Sequence, residues 1–144
     1  MSQEMEILYS ELFEAAAVGR RIGEEYAARA GQTQARWQTL WTIEAGPFTV
    51  PQIARRLGVS RQHILRLTND LATEGLVELV PNPDHKTSPL VTLTAAGRDT
   101  LAAINKAASS SNNAIQCEFT PENVARLRAL LRQFTAIIKD AEST

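Results

Sequence analysis

The chain is short of the residues that build disulfides, metal centres and covalent catalysts. It holds one cysteine, Cys117, and two histidines, His63 and His85. A single cysteine excludes an internal disulfide and suits a reducing compartment, so a cytoplasmic location is expected. Two histidines and a distant cysteine fall short of a zinc ligand set, and no metal is expected. The 7 glycines are scattered. They form neither a phosphate-binding loop nor a nucleophile elbow, so neither an enzyme nor a bound cofactor is expected. No apolar run approaches the roughly 18 residues of a membrane span. The opening Met1-Ser2-Gln3-Glu4-Met5-Glu6 is acidic and lacks the basic-then-apolar order of a secretory signal. An excess of charge of either sign is missing too: the formal net charge is -1.

What is present suits one domain with a real core: 144 residues, 44% of them hydrophobic and 22% charged. The pattern predicts a mainly α fold with a small β-hairpin. From about residue 4 to 30, Leu8, Leu12, Ala15, Gly19, Ile22 and Tyr26 recur at steps of three and four, one stripe of a helix. Ala15, Gly19 and Gly23 are small enough to admit a close neighbour. From about 33 to 97 the chain is punctuated by turn formers and caps. Thr33 caps a helix with Trp37, Leu40 and Trp41 on one face. Thr49-Val50-Pro51-Gln52 has the form of a capping box. Gly58 supplies a left-handed helix end, and Ser60 caps the helix that follows. Leu76 to Val80 and Leu90 to Leu93 read as two strands joined by a polar tip dense in turn formers. From about 98 to 141 the chain is helical again, opened by Thr94 and Thr120-Pro121. There Val124, Leu127, Leu131, Phe134 and Ile138 form a heptad seam, widened by Leu130 and Ile137. Ser109 to Asn113 is a poor helix former between the two helices.

Residues 49 to 75 pair a short helix with a longer one across a glycine turn, the pattern of a helix-turn-helix. Helical hairpins of this kind also occur in bundles with no DNA role. The outer face of the second helix separates the two readings. Ile64, Leu67 and Leu71 lie together, while Gln62, Arg66, Asn69 and Thr73 lie opposite. Arginine can pair with both guanine acceptors in the major groove, and glutamine and asparagine can pair with adenine. Ser60, Arg61 and the free amides of the helix start suit a phosphate. His63 reads as a polar surface residue or a phosphate contact. Residues 48 to 98 carry six basic and four acidic side chains, whereas the rest of the chain carries nine and twelve. One weakly basic face in an acidic chain is compatible with DNA binding. The tip of the hairpin brings His85 and Lys86, suited to the minor groove or to phosphates; an ordinary polar loop is the other reading.

The run Ile53-Ala54-Arg55-Arg56-Leu57-Gly58-Val59-Ser60-Arg61-Gln62, then Leu71-Ala72-Thr73-Glu74-Gly75-Leu76-Val77, Asn82-Pro83-Asp84-His85-Lys86 and Leu93-Thr94-Ala95-Ala96-Gly97, resembles the MarR family of bacterial regulators. The resemblance implies a winged helix-turn-helix flanked by terminal dimerisation helices. It implies a recognition helix from about Ser60 to Thr73, a wing from about Leu76 to Leu93, and repression of transcription by a homodimer on double-stranded DNA. The wing departs from the family, which often carries an arginine pair where this chain reads Lys86-Thr87. A lysine is a point charge without the planar fork of arginine. Asn69 stands where many members have aspartate.

Leu8, Leu12, Ala15, Gly19 and Ile22 in the first zone and Leu127, Leu131, Phe134 and Ile138 in the last are therefore the expected dimer interface. Two-fold symmetry would present two recognition helices to a palindromic operator. Family members often release DNA on binding a small aromatic ligand. Tyr26, Arg36, Trp37 and Trp41 are the candidate pocket residues here, the competing reading being that both tryptophans are core. Cys117 lacks a basic neighbour and is expected to be inert. A winged helix that binds protein instead of DNA is the alternative function.

Overall fold

Serine and threonine hydroxyls start most of the helices. The computed structural model describes residues 1–143. The elements run α1 (Gln3–Arg29), α2 (Gln34–Glu44), β1 (Phe48–Thr49), α3 (Val50–Leu57), α4 (Arg61–Thr73), β2 (Val77–Val80), β3 (Leu90–Leu93), α5 (Ala95–Ser111), α6 (Asn113–Glu118) and α7 (Pro121–Glu142). Side chains of Ser2, Thr33, Thr49, Ser60 and Thr120 accept from the backbone amide three residues on, filling acceptor positions that a helix start leaves open. Thr94 does the same for Gly97 at the head of α5. The capping box is complete: Gln52 N–H donates to Thr49 Oγ1 at 3.3 Å, and Thr49 N–H donates to Gln52 Oε1 at 2.9 Å. α3 ends on Gly58 at φ 69°, ψ 33°, a left-handed conformation that a Cβ would strain.

Two compact units divide the chain, Met1–Ala108 and Ser109–Thr144. In the first, Leu40, Ile43, Ile53, Ala54, Ile64, Leu67, Leu71, Leu76, Val77, Val91 and Leu101 form one buried cluster. It draws on α2, α3, α4, both long strands and α5, so the core lies directly beneath α4. α2 packs on α1 at Gly23, where a Cβ would stand 2.9 Å from Gln34 Cγ; Gly19 faces open space. The buried threonines of α2 are satisfied within their own helix, Thr39 Oγ1 donating to Ala35 O and Thr42 Oγ1 to Gln38 O.

The sheet has three strands where a two-stranded hairpin is expected from the sequence. Its order is β1-β3-β2, antiparallel throughout. Val77 pairs with Leu93 and Val80 with Leu90, while Phe48 and Thr49 pair with Val91 and Leu90 on the other edge. The extra strand makes β3 central and gives its second edge backbone partners, which a hairpin alone would leave open. Val91 is fully buried there.

A second departure concerns α2. Its buried residues are Thr39, Leu40, Thr42 and Ile43. Trp41 lies away from that stripe and is 64% exposed, so it is not a core residue of the chain. Trp37 is partly buried against the core and its Nε1–H donates to Asn105 Oδ1 at 2.9 Å.

In the second unit the serine- and asparagine-rich stretch does interrupt the helix. α5 ends at Ser111, and α6 begins after Asn112, whose side chain makes no capping bond. α7 follows with no buried residue along its 22 positions.

Candidate nucleic-acid interface

The turn Leu57-Gly58-Val59-Ser60 sets α4 across α3. Val59 N–H donates back to Ala54 O at 3.1 Å, and Ser60 Oγ accepts from His63 N–H at 3.0 Å. Ile64, Leu67, Thr68 and Leu71 then point into the core. This fixes the rotation of α4 and leaves Arg61, Gln62, His63, Arg66 and Asn69 exposed, with Ser60 at the tip. The sequence-predicted reading residues of this helix therefore share its outer surface. No acidic side chain stands in its first turn, which leaves the positive end of the helix dipole open to an anion.

The wing is tied to the same helix. Leu76 N–H donates to Leu71 O at 2.9 Å, so β2 leaves directly from the end of α4. Beyond β2 the tip is organised by one side chain that sequence reasoning did not single out. Asn82 Oδ1 accepts from Asp84 N–H at 3.1 Å, and Asn82 Nδ2–H donates to Ser88 O at 3.0 Å. The carboxamide thus spans the loop that carries the exposed His85 and Lys86. His85 Nδ1 lies 3.0 Å from Thr87 Oγ1. The signal was present in the sequence, since an asparagine in a proline-rich turn favours a bond to the backbone two residues on, the Asx turn. Asn82→Ala leaves this loop without its bridge. We expect a small loss of stability, about 1 kcal/mol, and faster proteolysis of the loop between 81 and 89, read by limited digestion. Digestion at the wild-type rate would show that the backbone turn suffices.

Between α2 and α4 lies an open cleft of about 860 Å³. Thr33, Ala35 and Arg36 line one side, and His63, Arg66, Leu67, Asp70, Thr73 and Glu74 the other. Arg36 is ion-paired with Glu74 across it. Of the four residues expected to line a ligand pocket, Arg36 alone reaches this cleft. Tyr26 is buried on α1 with the Arg29 guanidinium 5.7 Å from its ring centroid. Trp37 is bound to Asn105, and Trp41 faces solvent.

The expected interface residues are unevenly covered. On α1, Leu8, Ala15 and Gly19 are exposed, and Leu12 and Ile22 are half-buried. On α7, Leu127 and Leu131 are exposed, and Phe134 and Ile138 half-buried. Cys117 is exposed on α6. Among the described residues no group of three or more metal-ligating side chains comes together, and no helix is long and apolar enough to cross a membrane.

A sequence model of the MarR family matches residues 30–86. An uncharacterized protein of Mycobacterium tuberculosis is 47% identical, the match covering 96% of this chain and 97% of that protein. The transcriptional activatory protein BadR of Rhodopseudomonas palustris is 30% identical over 63% of this chain and 54% of its own length. Among solved structures, a mutant of MarR from E. coli complexed with operator DNA superposes with a TM-score of 0.74 at 25% identity, covering 91% of this chain and 95% of that one.

Proposed function

Because the chain belongs to the MarR family, we propose that it acts as a homodimeric repressor that binds a palindromic operator in double-stranded DNA. It is a transcription regulator of that family and not an enzyme. The observation that carries the proposal is the outer face of α4. The buried stripe turns Gln62, Arg66 and Asn69 outward together. These are side-chain types whose paired donors and acceptors match base edges in the major groove. Ser60 and Arg61 at the helix start suit a phosphate, and His63, His85 and Lys86 extend the polar surface to either side.

The dimer has its own support. α7 turns Leu127, Leu130, Leu131 and Ile137 outward at 41 to 60% exposure, and α1 leaves Leu8 and Phe13 exposed. Exposed apolar side chains on both terminal helices call for a cover, and a second copy of the chain supplies one. Release by a small aromatic ligand is the part of the proposal for which the cleft offers one of the four expected residues, Arg36.

Selection from random duplex DNA at about 0.15 M salt, followed by sequencing of what is retained, tests the proposal. The expected product is a palindrome with half-sites about one helical turn apart, the spacing of two recognition helices in successive major grooves. Binding no better than to non-specific competitor would overturn it and favour a protein-interaction role for the same surface.

A further inference from the structure

The outer face of α4 is polar except at one position. Arg61, Gln62, Arg66, Asn69 and Thr73 are exposed there, and among them stands Leu65, 48% exposed. It does not belong to the core stripe, whose members Ile64, Leu67, Thr68 and Leu71 are at most 9% exposed. At about 100° per residue, Leu65 lies roughly 40° from Asn69 and 60° from Gln62 on the helix surface. It therefore stands beside the row of side chains that the proposed function assigns to base reading, between Asn69 and Arg61.

A leucine gains nothing from a phosphate and has no donor or acceptor for a base edge. The major groove offers it one partner, the 5-methyl group of thymine. Its neighbours fit that choice: glutamine and asparagine pair with adenine, and every adenine in a duplex faces a thymine. A protein partner fits less well, because hot spots of protein interfaces are enriched in tryptophan, tyrosine and arginine and poor in leucine, and Leu65 is a lone leucine flanked by Arg61, Gln62, Arg66 and Asn69. We infer that Leu65 is a specificity-determining residue that packs on the methyl group of one thymine in each half-site. This rests on the proposed DNA-binding function and adds a base to what the helix reads.

The test uses the full chain and the duplex recovered by selection. Each thymine of the half-site is replaced in turn by deoxyuridine, which removes only the methyl group. One replacement is expected to weaken binding about fourfold per half-site, the worth of one buried methyl-sized group. In the Leu65→Ala protein the same replacement is expected to change nothing, while affinity for a scrambled duplex and the melting curve stay as in the wild type. Sensitivity to deoxyuridine that survives Leu65→Ala overturns the inference. So does a half-site whose thymines all tolerate the replacement. Either result leaves the operator established. If selection yields no preferred duplex, the DNA-binding proposal fails and the inference falls with it.

Discussion

Arg66→Ala is expected to weaken operator binding by about 1–3 kcal/mol for each half-site, roughly five- to more than a hundredfold. Arg66 is exposed on the same side of α4 as Gln62 and Asn69, opposite the buried Ile64, Leu67 and Leu71. The cleft ion pair does not involve it, since Glu74 is held by Arg36. Its guanidinium is therefore available, with the planar pair of donors that matches the two acceptors of guanine. The loss should be specific. Competition titrations with the selected duplex and with a scrambled one are expected to show the first losing far more affinity than the second. The slope of log affinity against log salt should change little, because base contacts release no counterions. An arginine on a phosphate behaves otherwise: its removal weakens both duplexes together, and the slope falls by about one for each phosphate no longer neutralised. That second outcome would move Arg66 from reading to positioning. An unchanged affinity would remove the outer face of α4 from the interface.

Much of this site was legible because it is built from short-range chemistry. The capping box at Thr49 and Gln52, the left-handed Gly58 and the Ser60 cap each depend on residues within four positions of one another. They set where α4 begins, and the spacing of Ile64, Leu67 and Leu71 sets its rotation. The missed features depend on distant partners. β1 is two residues long and exists because Phe48 and Thr49 meet Val91 and Leu90, more than forty positions away; no alternation can announce a strand so short. The spacing of Trp37 and Trp41 correctly suggests one helix face, but not which face the core takes. Thr39 and Thr42, polar by type, are buried through bonds to their own helix and draw the core to the other side. Gly23 and Gly19 look equivalent in sequence, yet only Gly23 meets α2. Leu65 is apolar and adjacent to Ile64, and only the burial of its neighbours shows that it faces out.

Gly97→Ala is expected to destabilise the chain by about 3 kcal/mol, at the upper end of what overpacking costs. On helix propensity alone alanine would be the better residue by about 1 kcal/mol, so the sign is decided by space. A Cβ on Gly97 would overlap Leu76 O and stand 3.0 Å from Leu76 C and 3.1 Å from Leu93 Cδ2. The overlapping atom is backbone and is held from several directions. Leu76 O accepts from Thr94 N–H at 3.2 Å, and Leu76 N–H donates to Leu71 O at 2.9 Å. Thr94 Oγ1 donates to Gly75 O at 2.6 Å and accepts from Gly97 N–H at 3.0 Å. The end of α4, the start of β2, the end of β3 and the head of α5 meet at this point, so relief of the clash must move one of them. Urea unfolding at fixed protein concentration measures the loss, because association would otherwise shift the midpoint. Whatever native population remains should also bind the operator less well, since moving Leu76 re-aims the wing against α4. Wild-type stability with weakened operator binding would mean that the junction yields and the wing turns with it. Wild-type stability with wild-type binding would mean that Leu76 moves without consequence, and the junction would then not set the angle of the wing.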